Sequence, residues 1–92
     1  ADLQAANIAF QNEMDHKALE NYQKVIDEVE NKQYDEDEKG YLMQAYKNAG
    51  YIYWSSKNDL DTARPFFEKL IKLDPNNSLA KKALGLEEEA AQ

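Results

Sequence analysis

Apolar positions recur at helical spacing along most of the chain. Leu3, Ala6 and Phe10, with Ala5 and Ala9, form a stripe at separations of three and four. That period predicts a helix over residues 2–12. Asn12-Glu13-Met14-Asp15 interrupts the stripe and predicts a turn, with Asp15 placed to cap the next helix. Ala18, Leu19, Tyr22, Val25, Ile26 and Val29 then give a wide apolar face, and a second helix over about 16–31. A polar loop over 32–37 leads to Asp35-Glu36-Asp37-Glu38. Carboxylates there suit the positive end of a helix dipole, and Asp35 or Asp37 can serve as the cap. Leu42, Ala45, Tyr46, Ala49 and Tyr53 share one face of a third helix reaching about Lys57. After Asn58-Asp59, a fourth helix runs over about 60–73 with Ala63, Phe67 and Leu70 on one side. Pro65 lies beyond its first turn, and the lost donor predicts a slight bend. Asp74-Pro75 ends it. Ser78 to Gly85 begins a fifth helix capped by Ser78 or Asn77, with fraying expected after Glu88 because an acidic end opposes the dipole.

The chain also matches itself. Ala18, Tyr22, Lys24, Val25 and Ile26 align with Ala63, Phe67, Lys69, Leu70 and Ile71 at a constant offset of 45. Ala5-Ala6, Ala9 and Phe10 align with Ala49-Gly50, Tyr53 and Trp54 at an offset of 44. Leu84-Gly85 follows Ala49-Gly50 by 35 residues. The best-defined unit carries Ala49-Gly50, Tyr53, Ala63, Phe67, Leu70 and Asp74-Pro75-Asn76-Asn77. It resembles a tetratricopeptide repeat, in which Gly, Tyr, Ala, an aromatic and Pro recur over about 34 residues. One departure is visible: the stretch between Gly50 and Ala63 is one residue longer than the family pattern. The resemblance implies an all-α, tetratricopeptide-like α-α superhelix of two helical hairpins plus a C-terminal capping helix. The expected divisions of this single domain are a divergent first repeat over 1–34, a second repeat over 35–77 and a capping helix over 78–92. Glu87-Glu88-Glu89 would give that last helix a polar exterior.

Charge and composition narrow the chemistry. A net charge of −7 repels phosphates and argues against nucleic acid or an anionic membrane as partner. No apolar run approaches the roughly 20 residues of a membrane span. No signal-peptide pattern occurs, and nothing in the sequence assigns a compartment. With no cysteine, thiolate catalysis and zinc–thiolate sites are excluded. A calcium loop beginning at Asp35 would place Lys39 at its fifth position and Tyr46 at its bidentate carboxylate position, so the acidic run reads as helix capping and a solvated face. His16 is the one histidine, and Asp15 and Lys17 point elsewhere on a helix. No nucleophile, phosphate loop or metal-binding pair is present. The expectation is a protein without catalytic residues, metal or cofactor.

The remaining signal is a surface. Gln44, Lys47, Tyr51, Trp54 and Ser55 fall on the face next to the core face of the third helix. In the family resembled here, the first helices of successive repeats line a concave groove and such positions meet the ligand. The corresponding residues are Leu3, Asn7, Phe10 and Gln11 in the first repeat and Leu79, Lys82 and Leu86 in the third. Aromatics flanked by cations are a common hot-spot composition; the plainer reading has Trp54 and Phe10 packing between helices. Some family members clamp a peptide C-terminus with two asparagines and three basic residues. Asn7 and Asn48 match the asparagines, but Leu3, Leu79 and Ala83 occupy the basic places, so that clamp is broken here. The expected function is an interaction scaffold that holds a partner protein or peptide against Asn7, Phe10, Gln11, Gln44, Lys47, Tyr51, Trp54 and Lys82. The alternative is a self-associating homo-oligomer, or one segment of a longer array, because so few repeats leave apolar end faces.

Overall fold

The computed structural model describes residues 3–86, with Asn7 the one described side chain among residues 3–9. The elements are α1 (Leu3–Val29), α2 (Glu36–Tyr51), a π-helical turn (Ile52–Ser56), α3 (Leu60–Leu73) and α4 (Ser78–Leu84). The described residues contain no strand, and the all-α expectation holds.

The expected first hairpin does not form. Residues 12–15 are helical, and α1 runs unbroken for 27 residues. The reason is local. No Gly or Pro lies between Leu3 and Val29, and Asn and Asp inside a helix each cost only about 0.7 kcal/mol relative to Ala. Pairs one turn apart bridge the stretch: Gln11 Nε2 donates to Asp15 Oδ1 at 3.0 Å, Lys17 lies 3.9 Å from Glu13, and His16 lies 3.2 Å from Glu20. Asp15 therefore caps nothing. It sits buried in mid-helix, and its Oδ2 has no protein partner among the described residues.

The later boundaries are set by their caps. Asp35 opens α2 with a capping box: Glu38 N–H donates to Asp35 Oδ1 at 2.8 Å, and Asp35 N–H donates to Glu38 Oε1 at 3.3 Å. Asn58 takes a positive φ of 52° in the turn before α3, a conformation Asn tolerates better than most residues. Asp59 then accepts from the Thr62 backbone N–H and hydroxyl, at 3.2 and 2.7 Å. α3 continues through the exposed Pro65. Asn77 caps α4 by accepting from Ala80 N–H at 2.9 Å. α4 stops at Leu84, short of the expected end near Glu88. Gly85 adopts φ 75°, Gly85 N–H reaches Lys82 O at 3.2 Å, and Leu86 N–H reaches Lys81 O at 2.8 Å. This is a Schellman closure, which Gly makes at little cost. Glu87-Glu88-Glu89 and the fraying expected there lie outside the described residues.

The core is shared by all four helices. Phe67, Leu70 and Ala63 from α3 are almost wholly buried, as are Leu42, Ala45, Tyr46 and Ala49 from α2. Ala80 and Ala83 from α4 and Ile26 and Val29 from α1 close it on two sides. Gly50 lets α3 approach α2: a Cβ at that position would lie 2.9 Å from Phe67 Cζ.

The one-residue excess between Gly50 and Ala63 becomes the π-turn. Lys57 N–H donates to Ile52 O at 3.0 Å, a five-residue step, and Asp59 N–H donates to Tyr53 O at 2.8 Å. A π-bulge absorbs an inserted residue without ending the helix. Ala63 and Phe67 thus keep their seats against α2, and the inserted residue changes only the end of the preceding helix.

Candidate functional site

Two neighbouring concavities are walled by α2 and its π-turn on one side and by α4 and its approach on the other. The first, of about 270 Å³, is lined by Gly40, Met43, Gln44, Lys47, Leu70 and Asn77. The second, of about 380 Å³, is lined by Tyr51, Trp54, Ser55, Leu79 and Lys82. Residues 40, 43/44, 47, 51 and 54/55 are separated by three or four, so they run along one side of a single helix.

Their local chemistry comes from the fold. Trp54 is half-buried and meets Phe67 edge-on, with ring centroids 5.9 Å apart and planes at 81°. This is a favourable aromatic geometry, and it fixes the indole against the core while one side remains open to the cavity. Tyr51 is 49% exposed. Tyr53, one residue before Trp54, turns away and stacks on Phe66 at 5.8 Å. From α4, Leu79 and Lys82 are three residues apart and face the same cavity. Lys47 and Lys82 are exposed, and among the described residues no carboxylate lines either concavity. The surface is apolar and cationic within a chain whose net charge is −7.

The structure places Gln44 and Lys47 on the first concavity and Tyr51, Trp54 and Lys82 on the second, the two following one another along the same side of α2 and its π-turn as a trough. It leaves Asn7, Phe10 and Gln11 apart from the lining: all three are exposed on the first half of α1, and Gln11 is engaged with Asp15. The expectation for them assumed a closed first hairpin. Met43, Gly40, Leu70 and Asn77 also line the trough and escaped the sequence reading. Their signal was present for α2, where Gly40 and Met43 continue the spacing of Lys47 and Tyr51. For Asn77 it was obscured by the residue's role as a cap.

A polar cluster lies at another junction. Tyr46 Oη donates to Glu30 Oε2 at 2.6 Å, and Lys69 Nζ donates to the same oxygen at 2.8 Å. Lys69 also stands 5.8 Å from the centre of the Tyr46 ring. The Lys69 and Tyr46 donors hold the Glu30 carboxyl below its ordinary range. Burial, reinforced by the Glu30 carboxylate, pushes the Tyr46 phenol up. The cluster ties the end of α1 to α2 and α3. Its groups have ordinary structural partners and no nucleophile beside them, so its chemistry is that of a brace. The described residues hold no group of His, Asp and Glu arranged for a metal ion, and no described helix is long and apolar enough to cross a membrane.

Residues 43–77 match the family model described as a tetratricopeptide repeat. No curated protein and no solved structure matches the chain. The matched segment contains most of α2, the π-turn, all of α3 and the Asn77 cap. Residues 43–77 are therefore similar to a repeat of that family, and repeats of this kind generally mediate protein–protein interaction.

Proposed function

We propose that this tetratricopeptide-repeat chain is a binding module that holds an extended segment of a partner protein in the trough between α2 and α4. The observation that carries the reading is the convergence of Tyr51, Trp54, Leu79 and Lys82 on one concavity, next to Lys47 and Gln44. An anchored aromatic wall takes an apolar side chain of the partner without reordering, which keeps the entropic cost of binding low. Lys47 and Lys82 favour a partner segment with a carboxylate beside its apolar anchor, and the acidic remainder of the surface selects against extended acidic runs. Gln44 and Asn77 supply the polar rim.

Trp54 is the chain's one tryptophan, so the trough contains its own reporter. The test pairs affinity capture with fluorescence. The chain and a Lys47→Ala, Tyr51→Ala, Lys82→Ala variant are used side by side, after circular dichroism shows both helical. The recovered partner segment is then titrated while Trp54 emission is followed. The expected result is a saturable emission change with the native chain and a loss of affinity of at least tenfold with the variant. A partner that binds both forms equally, leaving Trp54 emission unchanged, would place binding on another face.

A further inference from the structure

No close approach requires glycine at position 40. It lies inside α2, where glycine weakens a helix relative to alanine. A Cβ there would meet no side chain or neighbouring helix within 4 Å, whereas at Gly50 it would strike the Phe67 ring. Gly40 instead widens the first concavity, whose apolar part is Met43 and the buried Leu70. The second concavity is aromatic at Tyr51 and Trp54 and aliphatic at Leu79. The trough thus offers two apolar seats in sequence. Along α2 and its π-turn their linings, Gly40 to Lys47 and Tyr51 to Ser55, are centred about ten residues apart, or about 15 Å at 1.5 Å per residue. Lys47 is the lining residue nearest the midpoint. Neither it nor Lys82 makes an ion pair among the described residues.

We propose, resting on the reading of the trough as the binding surface, that its occupant is an extended peptide segment with two apolar side chains four residues apart and a carboxylate side chain midway between them. An extended chain advances about 3.3 Å per residue and alternates its faces. Four residues therefore span about 13 Å and bring the second side chain back to the face of the first; a spacing of three or five turns it to solvent. The midway residue also faces the trough, level with Lys47, so a carboxylate there meets the ammonium group. Lys82 adds the same charge preference at the second seat. A branched aliphatic side chain suits the seat that Gly40 opens. An aromatic ring suits the other, because Phe67 already holds the Trp54 indole edge-on.

The test uses synthetic ten-residue peptides with blocked ends and a serine–glycine background. Each carries one leucine and one phenylalanine, in either order, two, three, four or six residues apart, with glutamate between them. Trp54 emission reads the binding. One four-residue order is expected to bind at least tenfold more tightly than the other spacings, and lysine in place of its glutamate to lose tenfold or more. Gly40→Ala is expected to keep or raise the Tm, to weaken that peptide several-fold, and to leave unchanged a version whose leucine is serine. Equal binding at another spacing, lost in the Lys47→Ala, Tyr51→Ala, Lys82→Ala variant, overturns the spacing and leaves the trough as the site. A lysine peptide that binds as well as the glutamate one overturns the carboxylate. No saturable change with any peptide overturns the proposed occupant, while titration of the captured partner judges the trough independently.

Discussion

The ring of Phe67 occupies the space that a side chain at Gly50 would need. A Cβ there would come within 2.9 Å of Cζ and 3.0 Å of Cε2. Phe67 is completely buried, so the ring has nowhere to retreat. Gly50→Ala gains up to about 1 kcal/mol of helix propensity but overpacks the α2–α3 contact at a cost of about 1–3 kcal/mol. The expected net effect is a loss of up to about 2 kcal/mol, read as a lower Tm in thermal melts. Phe67→Ala, which empties the same contact, is expected to cost about 3–5 kcal/mol. A Gly50→Ala chain more stable than the native one would contradict this account.

The brace at Glu30 gives stability a pH profile with two shoulders. Glu30 titrates below its ordinary 4.5 because Lys69 and Tyr46 donate to it. A depressed carboxyl favours the folded state above the unfolded value, and that contribution is lost as pH falls through the folded value. Tyr46 is raised above its ordinary 10.0, first by burial and then by its bond to Glu30. A raised phenol favours the folded state below pH 10, and the contribution is lost as pH rises beyond it. Urea titrations from pH 3 to 11 should therefore show declines at both ends. In Tyr46→Phe the alkaline decline should shrink, and stability at pH 7 should fall by about 1–2 kcal/mol as Glu30 loses a donor. An unchanged alkaline limb in that variant would remove Tyr46 as its source.

Under the proposed function, the π-turn is a place where folding and binding can be separated. Deleting Ser56 returns the Gly50–Ala63 spacing to the family pattern, and the shortened segment is expected to wind as ordinary α-helix. Ala63 and Phe67 keep their seats, so Tm should change by only a few degrees. Trp54 and Ser55 shift relative to α4, and partner affinity should fall by tenfold or more. Trp54 emission and partner titration together read this outcome. A deletion that unfolds the chain would instead show the extra residue to be structural.

α4 is only seven residues long, and it supplies Leu79 and Lys82 to the trough. Helices this short depend on their caps and packing. Asn77→Ala removes the acceptor for Ala80 N–H and is expected to cost about 1 kcal/mol. Faster amide exchange should appear in α4 before α2 or α3, with weaker partner binding although residue 77 sits at one edge of the trough. Protection lost evenly over all helices would mean that α4 is not the least stable unit.

Much of this molecule was legible in its sequence because the relevant signals are local. Periodicity placed Ala63, Phe67 and Leu70 on one buried face, and Asp35, Asp59 and Asn77 stand where capping residues are expected. The extra residue after Gly50 was visible as a spacing. Gln44, Lys47, Tyr51 and Trp54 share a helix side by arithmetic alone. Other features required distant groups to meet. The Asn12–Asp15 segment has turn-like polarity, yet without Gly or Pro it costs little to wind, and the one-turn pairs Gln11–Asp15, Glu13–Lys17 and His16–Glu20 carry a single long helix through it. That outcome removed Asn7, Phe10 and Gln11 from the trough. The Glu30, Tyr46 and Lys69 brace joins three helices across 39 residues of chain, and no local period encodes such a meeting. Local propensity determined the helices and their ends; the tertiary structure decided which faces were covered, because burial depends on which helices lie alongside one another.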